Sequence, residues 1–226
     1  RVDPHSGRLL RLNRRRHNTG DWCVRMIVIG LTGGIASGKS TISGALAEHG
    51  ATVVDADKVG HDVYRPATEG WQKVVDAFGK QILAPDGEID RKALGAIVFG
   101  DPAHRERLQA IVWPLMKGMM RRLIDDFRNQ GIGVAVIEAA VLIEADWVDL
   151  VDQVWVVTVP VEVAAARLIG RNGLTPDQAR ARISAQLSNE ERARQADVVI
   201  DNSGSVEQVR SRLAELWDGL VLAGSR

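Results

Sequence analysis

Cysteine is nearly absent from this chain: Cys23 is the only one in 226 residues. An internal disulfide is therefore excluded, and the usage fits a reducing compartment. No apolar stretch approaches the ~20 residues that a membrane-spanning helix needs. The five histidines (5, 17, 49, 61 and 104) show no paired metal-ligand spacing, which argues against a structural zinc site. There is no internal repeat and no low-complexity block. Net charge is also absent, at 29 basic against 29 acidic residues.

That balance conceals an asymmetry. Residues 1–25 hold seven arginines against Asp3 and Asp21, which leaves 22 basic and 27 acidic residues in the rest of the chain. The leader lacks apolar periodicity and is expected to stay mobile or to pack loosely. A linker or processing segment, an Arg-rich transit segment, or the end of an upstream domain each fits it. No base-reading module follows it, so no nucleic-acid partner is expected. A cytoplasmic location is the expectation, with mitochondrial import as the alternative.

What the chain does have is Gly33-Gly34-Ile35-Ala36-Ser37-Gly38-Lys39-Ser40-Thr41, a match to G-x-x-x-x-G-K-[ST]. The apolar run 26–31 before it reads as a buried strand. Residues 40–48 after it read as a helix with Ile42, Ala45 and Leu46 on one face and Gly50 as the stop. Strand, glycine loop and helix together make the arrangement of a phosphate-binding loop. Its glycines let successive N–H groups turn inward, and the helix N terminus adds partial positive charge. The N–H groups of Ala36, Ser37, Gly38 and Lys39 would hold a β-phosphate, Lys39 would bridge β- and γ-oxygens, and the Ser40 hydroxyl would sit on Mg²⁺. The competing reading is a glycine-rich turn with a surface lysine.

Further apolar runs at 51–54, 133–137, 153–159 and 196–200 are separated by helical stretches. The reading is an α/β fold of the P-loop NTPase type, a parallel sheet covered by helices on both faces. Residues 102–129 carry a long amphipathic pattern, in which Pro114 predicts a kink or break. Ligands should gather beyond the carboxyl ends of the strands, where the glycine loop, Asp55-Ala56-Asp57 and Glu138 fall. Residues 161–195 carry Arg167, Arg171, Arg180, Arg182, Arg192 and Arg194, broken into short helices by Gly173 and Pro176. Arg167 and Arg171 share a helix face aimed at the phosphate site, whereas Arg180 and Arg182 read as solvated surface. The loop alone does not separate a kinase from a GTPase or a motor. The absence of Asn-Lys-x-Asp argues against a guanine switch, and the length and arginine lid fit a small-molecule kinase.

At this level of detail the chain resembles the dephospho-CoA kinase family. The residues that carry the likeness are 29–40, 54–57, 78–83, 86–91, Leu94-Gly95, Val98-Phe99, 167–174 and 196–204. Together they span about 26–222, with 57–130 as the acceptor-side helical region and 161–195 as the lid. Such a kinase phosphorylates the ribose 3′-hydroxyl of dephospho-coenzyme A with ATP and Mg²⁺, the last step of coenzyme A biosynthesis. The resemblance implies that Asp57 orients the acceptor hydroxyl and accepts its proton; an N-cap role is the alternative. It places Arg91 at the acceptor and Asn202 with Gly204 on the adenine side, against a surface salt bridge and a plain turn. Arg167 and Arg171 would close over the phosphates, with Arg167 catalytic. Glu138 would be a second contact to Mg²⁺.

Two positions depart from the common pattern. Trp113-Pro114 stands where many members have His-Pro, and Ala140-Val141-Leu142-Ile143-Glu144 where many have Pro-Leu-Leu-x-Glu. Both are similar to the kinase domain of the eukaryotic bifunctional coenzyme A synthase, which follows a phosphopantetheine adenylyltransferase domain. Trp113 either stacks on the acceptor adenine or fills core. Shikimate and nucleoside-monophosphate kinases, which share loop and lid, are the alternative class. A regulatory ATP-binding protein without a small acceptor is a third.

Overall fold

The computed structural model describes residues 26–224. The arginine-rich leader and Cys23 lie outside the described residues. Among those described, five strands form one parallel sheet: β1 Ile27–Gly33, β2 Thr52–Asp55, β3 Val134–Glu138, β4 Gln153–Thr158 and β5 Val198–Asp201. Their order is β2-β3-β1-β4-β5, so β1 sits in the middle and delivers the glycine loop to the centre of the sheet. It pairs with β3 from Ile27↔Val134 to Leu31↔Glu138 and with β4 from Ile29↔Gln153 to Gly33↔Val157.

Alternation along each strand feeds two cores. Val28, Ala135, Ile137, Val154 and Val156 point into one, while Ile29, Leu31, Val136, Trp155 and Val157 point into the other. The first core is covered by α3 Glu69–Phe78, α4 Arg91–Gly100 and α5 Pro102–Asn129; α2 Ala56–Val59 is a single turn after β2. The second is covered by α1 Lys39–Glu48 and the C-terminal α9 Val206–Gly224. Burial on both faces explains why the strands read as unbroken Val/Ile runs.

The expected kink or break at Pro114 does not divide the long helix: α5 runs unbroken through 28 residues. Pro114 is exposed, and Val112, Met116, Met120 and Ile124 are buried at four-residue spacing along the same helix. Apolar burial along that stripe outweighs the single backbone hydrogen bond a proline removes.

The stretch between β4 and β5 folds as α6 Val161–Asn172, α7 Pro176–Ser184 and α8 Asn189–Ala193. Gly173 caps α6 in the left-handed conformation at φ 62, and Thr175 opens α7 with a capping box. This lid has a small core of its own, Ala165, Leu168 and Ala179. Ile35 and Ala36 at the tip of the glycine loop pack against it. Lid and loop are therefore joined by apolar contact as well as by polar bonds.

Candidate active site

The glycine loop turns on two glycines that cannot be replaced without collision. A Cβ on Gly33 would run into the Val157 carbonyl oxygen, and one on Gly38 into the Asn202 amide nitrogen. Gly38, at φ 91, is the N-cap residue of α1, and no side chain caps that helix. Its first N–H groups are consequently left for an external acceptor, the condition for anion binding. Beneath the loop, the Ser37 hydroxyl is buried without a hydrogen-bond partner. A cavity of about 960 Å³ opens over this helix end. Ala36, Gly38, Lys39, Ser40, Thr41, Glu138, Arg167, Arg171 and Asn202 are among its walls. A nucleoside triphosphate fits this donor-rich, glycine-walled space.

Polar bonds from the far end of the chain hold the loop's carbonyl groups. Asn202 Nδ2 donates to the Ser37 oxygen at 2.7 Å. Arg167 donates through Nη2 to the Asn202 oxygen at 2.9 Å, and its Nη1 lies 3.3 and 3.4 Å from the Ala36 and Ser37 oxygens. Within the loop itself, the Ser37 N–H donates to the Gly34 oxygen at 3.2 Å. Arg171, one turn along α6, is exposed, and its Nε donates to Asn172 Oδ1 at 3.1 Å.

Lys39 Nζ folds back onto the Gly33 and Gly34 oxygens at 2.9 and 3.4 Å, places that phosphate oxygens would compete for. Burial pushes its ammonium below the ordinary lysine range; Glu138 and Asp57 pull the other way, and Arg192 adds to the lowering. Glu138, at the end of β3, accepts from the Ser43 hydroxyl at 2.6 Å. Ser40 and Glu138 are hard oxygen donors on facing elements, a donor set suited to Mg²⁺ shared with phosphate oxygens. Among the described residues no group of three or more His, Cys, Asp and Glu could hold a metal unaided.

Asp55 is the N-cap of α2, accepting from the Asp57 and Lys58 N–H groups at 3.1 and 3.3 Å. Asp57 is not the cap, and no hydrogen bond or ion pair holds its carboxylate among the described residues. Partial burial pushes that carboxyl above the usual aspartate range, with Asp55 and Glu138 adding to the effect and Lys39 and His61 opposing it. Asp57 is nonetheless an exposed residue, open to an approaching acceptor.

Asp57, Arg91 and Trp113 are not among the residues that line the cavity. Arg91, the first residue of α4, is exposed and acts electrostatically on the Tyr64 phenol, whose pKa burial pushes up. Trp113 is half-buried against the larger core. Arg180 pairs with Glu162 at 3.3 Å on the lid surface.

Arg192 stands out in the sequence only as one arginine among several. It is 1 % exposed, pairs with Glu144 at 2.8 Å and also donates to the Leu187 oxygen. Its Nη1 would lie 3.7 Å from a Cβ placed on Gly34. Gln186 is not singled out by any sequence signal either, yet its Oε1 accepts from the Ile35 N–H at 2.8 Å.

Comparison with known proteins agrees with this geometry. The sequence pattern of the dephospho-CoA kinase family matches residues 27–208. The dephospho-CoA kinase of Symbiobacterium thermophilum is 46% identical over 192 residues, covering 85% of this chain and 80% of that protein. The one from Geobacter sulfurreducens is 47% identical over 192 residues, covering 85% of this chain and 98% of its own. Among solved structures, a dephospho-CoA kinase from Campylobacter jejuni superposes with a TM-score of 0.66 at 25% identity, over 85% of this chain and 96% of that one. A pattern match over most of the chain, with near-half identity to proteins covered over 80% and 98% of their length, places this chain in the dephospho-CoA kinase family.

Proposed function

We propose that the chain transfers the γ-phosphoryl group of ATP to the ribose 3′-hydroxyl of dephospho-coenzyme A. Beyond family membership, the observation that carries this reading is Asp57. Its carboxylate has no internal partner among the described residues, its proton affinity is raised, and it is within electrostatic reach of Lys39. A base near the acceptor and a cation at the phosphates are the pair an in-line transfer requires.

In this mechanism the uncapped end of α1 and the N–H groups of Ala36, Ser37, Gly38 and Lys39 hold the nucleotide phosphates, with Gly33 and Gly34 giving the close approach and Thr41 at the cavity wall. Lys39 exchanges its bonds to loop carbonyls for bonds to phosphate oxygens and meets the charge that builds as the terminal bond breaks. Asp57 orients the 3′-hydroxyl and accepts its proton as oxygen attacks phosphorus. Arg167 keeps the loop carbonyls turned away, and Arg171 supplies a second cation at the cavity rim. Asn202 anchors the far side of the nucleotide site. Arg91 and Trp113 belong to the acceptor side, where the exposed Arg91 would meet an acceptor phosphate. Ser40 and Glu138 would hold Mg²⁺, whose contribution is neutralisation of phosphate charge.

The domain reading is a kinase unit over 26–222 with its acceptor region near 57–130 and lid near 161–195. The relatives named above are bacterial, which favours a cytoplasmic setting over mitochondrial import. They lend no support to fusion with a phosphopantetheine adenylyltransferase domain, and the likeness to the eukaryotic synthase rests on Trp113-Pro114 and residues 140–144 alone.

The test is ADP release measured with dephospho-CoA, AMP, shikimate or no acceptor. Stimulation by dephospho-CoA alone, with phosphate found on the 3′-oxygen, is expected. Equal or greater stimulation by AMP or shikimate would overturn the acceptor assignment.

A further inference from the structure

The segment joining α7 to α8 carries a residue whose chemistry the nucleotide-binding residues do not account for. Gln186 reaches across 151 positions of sequence to accept the Ile35 N–H through Oε1 at 2.8 Å. Because that donor is a backbone N–H, the amide must present its oxygen to the loop, which fixes the orientation of the side chain. Its Nε2 is left over: it has no hydrogen-bond partner among the described residues. Gln186 is exposed and lines the large cavity together with Lys39, Glu138 and Ala140.

The connector that carries Gln186 is anchored. Arg192 is buried and ties the segment to Glu144 in the loop after β3 at 2.8 Å, while its Nη1 also binds the Leu187 oxygen. A buried guanidinium held by a carboxylate resists displacement, because breaking the pair leaves an uncompensated charge in low dielectric. Gly34 marks the point of convergence. A Cβ there would be 3.8 Å from Gln186 Oε1 and 3.7 Å from Arg192 Nη1, and the Gly34 oxygen lies 3.4 Å from Lys39 Nζ.

We propose that Gln186 is a catalytic residue of the transfer step, its Nε2 amide donating hydrogen bonds to the oxygens of the γ-phosphoryl group as it leaves ADP. The oxygen end of the amide is the fixed hinge on the phosphate loop, and the nitrogen end is the working end. A neutral donor placed in advance stabilises charge that develops in the transition state without the cost of reorientation at that moment. Glu144 and Arg192 act as positioning residues by holding the connector in place.

This rests on the kinase reading, so the experiment has two readouts: ADP release with dephospho-CoA and slow ATP hydrolysis without acceptor. The variants are Gln186→Glu, which keeps an oxygen for the Ile35 N–H and removes the donor, and Gln186→Ala, which removes both. Glu is the informative change. If the amide donor acts on the γ-phosphoryl, Gln186→Glu lowers kcat by about 100-fold or more, at least as far as Gln186→Ala, in whichever reaction the wild type performs. Affinity for ADP, which lacks the γ-phosphoryl, stays within about twofold for Gln186→Glu. A Gln186→Glu enzyme within about threefold of wild-type kcat would overturn the proposal and make Gln186 a brace of the loop. So would a Gln186→Glu variant whose ADP affinity falls in step with its kcat. Loss of dephospho-CoA turnover in the wild type would count against the acceptor assignment alone, since the hydrolysis readout still judges Gln186.

Discussion

Arg167 grips Asn202: the lid's first arginine donates Nη2–H to the Asn202 carbonyl oxygen at 2.9 Å, and Asn202 in turn donates Nδ2–H to the Ser37 oxygen at 2.7 Å. Lid, glycine loop and the end of β5 are thus one hydrogen-bonded unit. An arginine legible in sequence as a cation for phosphates is also a clamp on the backbone that binds them.

Removing that clamp separates catalysis from folding. Arg167→Ala is expected to lose turnover by a larger factor than it loses stability, and Arg167→Lys to restore little, because an ammonium cannot span three carbonyl oxygens as the guanidinium fork does. Steady-state kinetics beside thermal denaturation checks this; an Arg167→Ala enzyme of wild-type activity would return the arginine to the solvated surface.

Asp57→Asn should lower kcat about 100-fold or more while the protein folds normally. The raised carboxyl pKa gives wild-type kcat/KM an acid limb that falls at a pH above 3.8, and the Asn variant should lack it. The stability effect has the opposite sign. The native state holds this proton more tightly than the unfolded chain, so wild-type stability declines as pH rises from 3.8 through the native pKa. Asp57→Asn should therefore melt slightly higher than wild type at neutral pH, with the difference vanishing in acid.

For Lys39, burial disfavours the charged form, so the native state loses its proton more readily than the unfolded chain does. Stability should rise with pH between the depressed native pKa and 10.5, and Lys39→Met should remove that slope. Turnover collapses in the variant. ATP should raise its melting temperature far less than it raises that of the wild type, as a titration of melting temperature with ATP will show.

Two glycines, one in the phosphate loop and one at the cavity wall, should respond in opposite ways. Gly33→Ala drives a methyl into the Val157 carbonyl and to 2.8 Å from Ser37 Oγ, and should destabilise by about 1–3 kcal/mol. Gly44 lies in α1, where an added methyl would meet nothing within 4 Å, yet it lines the cavity. Gly44→Ala should gain up to about 1 kcal/mol of stability from helix propensity and bind ATP more weakly. Chemical denaturation and nucleotide titration of both variants separate the two effects.

Much of the fold and part of the site are legible in the chain itself. The strand runs, the glycine loop and the one-turn spacing of Arg167 and Arg171 are local patterns, set by backbone periodicity and by what glycine permits. Pro114 does not break α5, because a local rule about one lost hydrogen bond meets a long buried stripe on the same helix, which only packing reveals. Arg192 and Gln186 give no signal because their meaning lies in partners far along the chain: Glu144 is 48 positions away, Ile35 151.

The amino-acid sequence alone determined the reaction class and the parallel sheet, since phosphate loops and doubly buried strands are written in short consecutive runs. Tertiary structure decided the strand order β2-β3-β1-β4-β5, the Asp57 carboxylate left without a partner among the described residues beside a capping Asp55, and the convergence of Lys39, Gln186 and Arg192 on Gly34. Those relationships depend on which surfaces meet once two cores close on either face of the sheet. For Gln186 with Ile35 and Arg192 with Glu144, no short stretch of sequence contains both partners, and only the packed chain brings them within bonding distance.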